Sequence, residues 1–105
     1  MCACRAPLER TLQAGDDAAR AGKWEEARIA WAEAAALDEK SVSARVKLGI
    51  AQYELGRRDE AAASWTAALA LDGKADEALE GLARLELERG DAGAALERLD
   101  AVKPP

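Results

Sequence analysis

No histidine occurs among the 105 residues of this chain. Histidine is the commonest general base and a frequent metal ligand, because its charge changes near neutral pH. The carboxylates that remain are spread over predicted helix surfaces. Pairs such as Glu25-Glu26 fall in the first turn of a helix, where they complement the helix dipole. We therefore expect no enzymatic activity, no catalytic residue and no cofactor.

Cysteine is nearly absent as well, and the two that occur, Cys2 and Cys4, lie at the extreme N-terminus. Two thiolates without histidine do not complete a four-ligand zinc site, although two thiolates can bind Cu(I). Three interpretations stay open: an unstructured leader or a terminus left by expression, a processed bacterial lipoprotein beginning at Cys2, or a Cu(I) site. We assign no metal site. The compartment is open too, either cytoplasmic or, for a lipoprotein, periplasmic and lipid-anchored.

Long apolar runs and concentrated positive charge are also missing. No stretch approaches the ~20 apolar residues that a membrane span requires, and the N-terminus lacks the apolar run of a signal peptide. The formal net charge is −5, with 15 Lys and Arg against 20 Asp and Glu. Phosphate binding needs clustered Lys and Arg. We expect no membrane span and no nucleic-acid partner.

Alanine dominates what is present. Half of the residues are hydrophobic, but 27 of them are alanine, and only three Trp and one Tyr are aromatic. Alanine has the highest helix propensity, so the composition favours an all-α protein. A core rich in alanine forms by close approach of helix backbones rather than by filling a deep interior.

A period of 34 residues runs through the chain without insertion. Three columns show it, in each of which successive members differ by 34 in residue number: Gly22, Gly56 and Gly90; Ala27, Ala61 and Ala95; Trp31, Trp65 and Leu99. Apolar residues recur at helical spacing before and after each glycine. A fixed period of this length, with two helices per unit, indicates a helical repeat array.

The residues of the middle unit resemble the tetratricopeptide repeat family. The family's series of Leu-Gly, Tyr, Gly, Ala, aromatic and Ala is carried by Leu48-Gly49, Tyr53, Gly56, Ala61, Trp65 and Ala68. Two positions depart from the pattern: Gln52 occupies the strongest aromatic column, and Gly73 replaces a frequent proline. The resemblance covers Leu8 to Lys103. It implies an all-α solenoid of about six antiparallel helices in helix-turn-helix pairs.

The period sets the boundaries of these units. It predicts a leader at 1–7, repeats at 8–41 and 42–75, and a truncated third repeat at 76–105 that has no capping helix. Helices are expected at about 8–21, 24–37, 42–55, 58–71 and 75–89, with a sixth from about residue 92. Ser41 or Asp38 is the expected cap of the third helix, and Asp91 that of the sixth.

The resemblance also implies a function, protein–protein interaction, because the first helix of each repeat lines a concave face in this family. The expected contact residues are apolar in the middle and charged at the rim: Val46, Ile50, Tyr53 and Leu87, with Arg20, Glu54, Arg84 and Glu88. Such a strip suits an apolar or amphipathic segment of a protein or peptide partner. Partial covering of Val46 and Ile50 by neighbouring helices stays open. Trp31 and Trp65 are expected in the core.

Family members that clamp an acidic C-terminus carry Lys, Asn and Arg in fixed columns of the groove. This chain has other residues there: Leu12, Asp16, Lys47, Glu77 and Gly81. We therefore do not expect a chaperone adaptor of the carboxylate-clamp type.

The C-terminal end suggests a second function. Pro104-Pro105 cannot continue a helix, and a repeat cannot bury its apolar face alone. Part of the surface formed by Leu85, Leu96, Leu99 and Val102 is therefore expected to be open. Three explanations stay open: the chain is a fragment, it self-associates there, or the exposure is tolerated. The alternative function is a structural subunit that forms a homo-oligomer through this end.

Overall fold

The computed structural model describes residues 5–102, with side chains from residue 7 onward. Six helices follow one another: α1 (Arg5–Arg20), α2 (Trp24–Leu37), α3 (Val42–Glu54), α4 (Arg58–Leu71), α5 (Asp76–Glu88) and α6 (Ala92–Ala101). No strand occurs in this range. The predicted all-α architecture of six helices is confirmed for the described residues. The interpretations of Cys2, Cys4 and Pro104-Pro105 lie outside them.

The expected helix boundaries agree with those of the structure at most ends. Helices α2 and α4 begin and end where they were predicted, and α3 and α5 are one or two residues shorter. Helix α1 begins at Arg5, so the last three residues of the predicted leader are helical. Pro7 is tolerated there because the first four amides of a helix have no intrahelical acceptor.

Each pair of helices reverses direction at a glycine in the left-handed region. Gly22, Gly56 and Gly90 have φ values of 75°, 80° and 85°. At the second of these turns, the Gly56 amide donates to the Tyr53 carbonyl at 3.0 Å, and the Arg57 amide donates to the Gln52 carbonyl at 2.8 Å. This pair of bonds defines a Schellman motif, which favours glycine because of its positive φ.

The turns between repeats use aspartate instead. The Oδ1 atoms of Asp38 and Asp72 accept from the amides of Lys40 and Lys74, each at 3.0 Å. Ser41 caps α3 by accepting from the amide three residues on at 3.1 Å. Of the two expected caps of the third helix, Ser41 is therefore the one used, and Asp38 ends α2.

A buried tryptophan holds the middle repeat together. Trp65 is 3% exposed, and its Nε1 donates to the Val46 carbonyl at 3.2 Å. A Cβ atom at Gly49 would lie 2.4 Å from that nitrogen, so only glycine lets α3 approach α4 this closely. The first repeat has the same arrangement in Trp31, Leu12 and Gly15. The prediction that both tryptophans are core residues is confirmed.

The three hairpins stack in sequence order. Each helix packs mainly against its neighbours along the chain, and α3 also contacts α5. The extents of 44 × 29 × 24 Å reflect this serial stacking. Within the described residues, none of the helices has the length and apolar character needed to cross a membrane.

Candidate functional site

A depression lies between α3 and α5, and we call it the Ile50 depression. Its volume is about 250 Å³. It is lined by Ile50, Tyr53, Glu54, Trp65, Glu77, Glu80, Gly81 and Arg84. Gly81 is the reason that the Trp65 ring forms part of its floor, since a Cβ atom there would lie 2.7 Å from the indole Cδ2. The floor is therefore apolar and the rim is charged.

Tyr53 makes several contacts within the protein at the edge of this depression. Its hydroxyl donates a hydrogen bond to Glu88, and its ring centroid lies 6.1 Å from that of Trp65. The guanidinium carbons of Arg58 and Arg84 lie 4.8 and 5.6 Å from the Tyr53 ring centroid, within cation–π range. Much of the ring and the hydroxyl is thus used within the protein, which limits what Tyr53 offers to a partner.

The Glu88 carboxylate joins three helices at this point. It accepts from Tyr53 of α3, and its Oε1 lies 2.7 Å from the Nε of Arg58 on α4. The hydrogen bonds from Tyr53 and Arg58 hold the pKa of Glu88 below its usual value. The same carboxylate raises the pKa of Tyr53 and that of Arg58. Because these groups are solvent-exposed, the network is a modest source of stability.

The structure brings four of the eight predicted contact residues into the Ile50 depression: Ile50, Tyr53, Glu54 and Arg84. Glu88 lies beside it through its bond to Tyr53. Val46 is only 4% exposed and packs in the core with Trp65 and Leu82. Its predicted role as a main contact surface is corrected to that of a core residue, because α5 covers it, and only its exposed edge lines the neighbouring depression described below.

Two predicted contact residues lie elsewhere. Leu87 is 55% exposed and lines an adjoining depression of about 360 Å³ with Ala83 and Leu99. This depression shares Glu80 and Arg84 with the Ile50 depression. Arg20 is at the end of α1, where it pairs with Asp17 at 3.4 Å on an exposed surface. It is not part of the Ile50 depression.

A second depression, which we call the Val46 depression, lies nearer the N-terminal ends of α3 and α5. The two depressions follow the line of contact between these helices, which we call the seam. Its volume is about 270 Å³. It is lined by Val42, Ser43, Val46, Lys47, Asp72, Ala75, Asp76 and Glu77. Glu77 lines both depressions. Lys47 is held by Asp16 of α1 at 2.6 Å, and its ammonium lies 5.9 Å from the Trp31 ring centroid.

The family frame puts Glu77 and Glu80 at inward positions of the third repeat, but they were not among the eight expected contact residues. Residues three apart on a helix share a face, so their spacing on α5 was the available signal. Glycine at position 81 was a second signal, because the missing Cβ lets α5 pack directly against the neighbouring indole.

The C-terminal surface is smaller than expected. Leu85 is 2% exposed and belongs to the core shared with Trp65, so its predicted part in self-association is corrected. It points toward α3 and α4 rather than toward the end of the stack. Leu96 and Leu99 are 61% and 42% exposed, and Val102 is half-buried.

The fold places the protein among helical-hairpin repeat domains of known structure. It is similar to the Yersinia enterocolitica type III secretion chaperone SycD in complex with a peptide of the translocator YopD (TM-score 0.84, 22% identity, 90% of this chain and 72% of that chain). It is also similar to the second TPR of Spaghetti (RPAP3) bound to the HSP90 peptide SRMEEVD (TM-score 0.85, 19% identity, 94% of each chain). A third similar structure is MamA from MSR-1 (TM-score 0.78, 23% identity, 90% of this chain and 54% of that chain). These identities establish a shared fold and no more.

The sequence itself establishes the family. The tetratricopeptide repeat model matches residues 12–57 and 46–104. The two matches together cover most of the chain, so this protein belongs to the tetratricopeptide repeat family. Among curated proteins, none matches its sequence.

Proposed function

We propose that this protein is a non-enzymatic interaction module that binds an apolar or amphipathic segment of a partner protein. The binding face is the concave one formed by α1, α3 and α5. The Ile50 depression carries the proposal, because its floor is apolar and open while its rim is charged. Similar structures that contain bound peptides, those of SycD and RPAP3, support it.

The size of the depression favours peptide side chains over a small-molecule ligand. Small-molecule sites have volumes of ~300–1,000 Å³ and enclose most of their ligand. The Ile50 depression, at about 250 Å³, is smaller and open to solvent. It has room for one or two apolar side chains of a peptide, with the rest of the segment lying along the seam between α3 and α5.

The partner segment is not an acidic C-terminus held by a carboxylate clamp. Among the clamp columns, Asp16 already pairs with Lys47 at 2.6 Å, and both side chains are about one-third exposed. Glu77 stands in another of these columns and adds negative charge. A terminal carboxylate would therefore meet repulsion instead of a set of free donors.

The proposal is tested by comparing Ile50→Ser with the matched control Ile29→Ser. Ile29 is 54% exposed on α2, outside the depression. A partner captured by the wild type is purified, and its affinity for all three proteins is measured by titration calorimetry. We expect loss of binding for Ile50→Ser alone, with thermal melting curves confirming that both variants fold. Equal affinity of the three proteins would contradict binding at this depression.

The second candidate function is self-association through the C-terminal end of the stack. Its support is the 360 Å³ depression that contains Ala83, Leu87 and Leu99. Those positions are 34 residues beyond Gly49, Tyr53 and Trp65 of the second repeat. Tyr53 and Trp65 contact α5 of the third repeat, through Glu88 and Gly81. The surface around Leu87 and Leu99 in the third repeat therefore corresponds to the surface that α5 covers in the second repeat. In the third repeat this surface is open to solvent.

Sedimentation velocity separates this candidate from the first. Self-association predicts a dimer or larger species whose fraction rises with concentration, and which Leu96→Ser with Leu99→Ser abolishes. The matched control is Leu37→Ser with Leu71→Ser, since those leucines are 44% and 42% exposed on α2 and α4. A monomer at all concentrations would contradict self-association and leave peptide binding unaffected.

A further inference from the structure

The rims of the two depressions along the seam carry an excess of negative charge. The carboxylates that line them are Glu54, Asp72, Asp76, Glu77 and Glu80, and the cations are Lys47 and Arg84. The seam is therefore an apolar strip with a predominantly acidic border. Its ratio of five carboxylates to two cations is more acidic than that of the whole chain, which has 20 acidic and 15 basic residues.

Both cations of the seam are already engaged within the protein. Lys47 pairs with Asp16 at 2.6 Å, and Arg84 lies 5.6 Å from the Tyr53 ring centroid. Glu77 and Glu80 make no ion pair or hydrogen bond through their carboxylates with the residues that the structure describes. Their negative charge is thus left for a ligand to neutralise.

We propose that the occupant of this seam is a basic amphipathic peptide segment. An apolar side chain of the segment enters the Ile50 depression, and Lys or Arg side chains contact Glu77 and Glu80. This inference rests on the proposed function and specifies the chemistry of the partner. A metal ion is the weaker alternative, because no group of three His, Cys, Asp or Glu side chains within residues 5–102 is placed to hold one.

The geometry of α5 suits this pairing. Residues three apart on a helix have Cβ atoms about 5–6 Å from each other, so Glu77 and Glu80 present two carboxylates along one edge. Charge-assisted hydrogen bonds to Lys or Arg are about twice as strong as neutral ones. An acidic segment with the same apolar residues would meet like charge along this edge, which excludes it as a partner.

The test uses three fluorescent peptides of equal length and equal leucine spacing. The positions between the leucines are lysine in the first, glutamine in the second and glutamate in the third. Fluorescence anisotropy measures their affinity for the full chain. We expect the lysine peptide to bind at least about tenfold more tightly than the glutamate peptide at low salt, and the difference to shrink at high salt.

A charge reversal at the seam should invert this order. Glu77→Lys with Glu80→Lys is expected to bind the glutamate peptide better than the lysine peptide. The matched control is Glu26→Lys with Glu33→Lys on α2, which changes the net charge equally and also places one lysine in the first turn of a helix. This control should keep the wild-type order. If the reversed variant does not fold, Glu77→Gln with Glu80→Gln should abolish the preference.

The outcomes separate this inference from the proposed function. Equal binding of the three peptides, all weakened by Ile50→Ser, would overturn the preference for a basic segment and leave the interaction module standing. Tighter binding of the glutamate peptide to the wild type would overturn it in the same way. Absence of binding by every peptide, or binding that Ile50→Ser does not change, would overturn both.

Discussion

The second and third repeats follow the same 34-residue frame, but only the second encloses its central side chain. Trp65 packs between Gly49 of its own repeat and Gly81 of the next one, and it is 3% exposed. The third repeat has Leu99 in the tryptophan column and Ala83 in the glycine column, and Leu99 is 42% exposed. The comparison shows that the apolar side chains of a repeat are buried only when the first helix of the next repeat packs over them.

Gly49→Leu should have the largest effect, since it breaks the second repeat. A Cβ atom at this position would lie 2.4 Å from the Trp65 indole nitrogen, so α3 and α4 must move apart. We expect a loss of about 3 kcal/mol or more in the free energy of unfolding, measured by urea denaturation. The control Gly93→Ala lies on α6, where a Cβ atom would be in ordinary contact with Asp91 Oδ1 at 3.9 Å, and it should leave stability equal or slightly raised. If Gly49→Leu is as stable as the wild type, α3 and α4 do not pack as closely as described.

A reciprocal exchange in the tryptophan column tests the comparison directly. Trp65→Leu places the residue of the third repeat in the second, and we expect it to cost about 2–4 kcal/mol in unfolding free energy because the lost ring leaves a cavity. Leu99→Trp should change stability by less than about 1 kcal/mol, since Leu99 is 42% exposed. Similar losses for the two variants, measured by chemical denaturation, would show that both columns are equally enclosed.

The junction between the second and third repeats should be acid-sensitive through Glu88. Its pKa is lowered by the hydrogen bonds from Tyr53 and Arg58, so its contribution is present above the ordinary value of 4.5 and is lost as the pH falls through the folded-state pKa. We expect Glu88→Gln to have a lower melting temperature than the wild type near neutral pH, and the difference to narrow in acid. Glu97→Gln on α6 is the control and should follow the wild type at every pH. If the difference in melting temperature between Glu88→Gln and the wild type is the same at every pH, the contribution of Glu88 to stability does not depend on its charge.

Arg57→Gln should have the smallest effect, at the junction between the first and second repeats. Arg57 lies 3.7 Å from Glu25, and both side chains are more than 40% exposed. Exposed ion pairs of this kind contribute about 0–1 kcal/mol. A change in unfolding free energy within about 0.5 kcal/mol is expected by urea denaturation. A larger loss of unfolding free energy would show that the junction between the first and second repeats depends on its ion pair as much as the junction between the second and third repeats depends on Glu88.

Local features of the sequence predicted most of the fold. Helical periodicity and the three glycines predicted the helix ends to within one residue, apart from the start of α1, because each end depends on residues within one turn. Asp91 was correctly identified as a cap for the same reason, and Ser41 is one of the two residues expected to cap α3. The 34-residue period then fixed which helices pack as pairs.

The candidate site was only partly predictable, because its contacts join distant parts of the chain. Val46 was assigned to the groove from its column, but the covering by α5 that buries it depends on how two repeats pack. Leu85 was assigned to the open end because α5 and α6 alone offered no side chains to bury it. In the structure, residues of α3 and α4 bury it. The bond between Tyr53 and Glu88 spans 35 residues and has no local signature.

Gly81 gives the molecule a built-in optical reporter. At the corresponding position one repeat earlier, the Lys47 ammonium lies 5.9 Å from the Trp31 ring centroid, whereas glycine leaves one side of Trp65 as the floor of a depression. Indole emission depends on what touches the ring. We therefore expect a guest that fills the depression to shift the fluorescence of Trp65, against a constant background from Trp24 and Trp31.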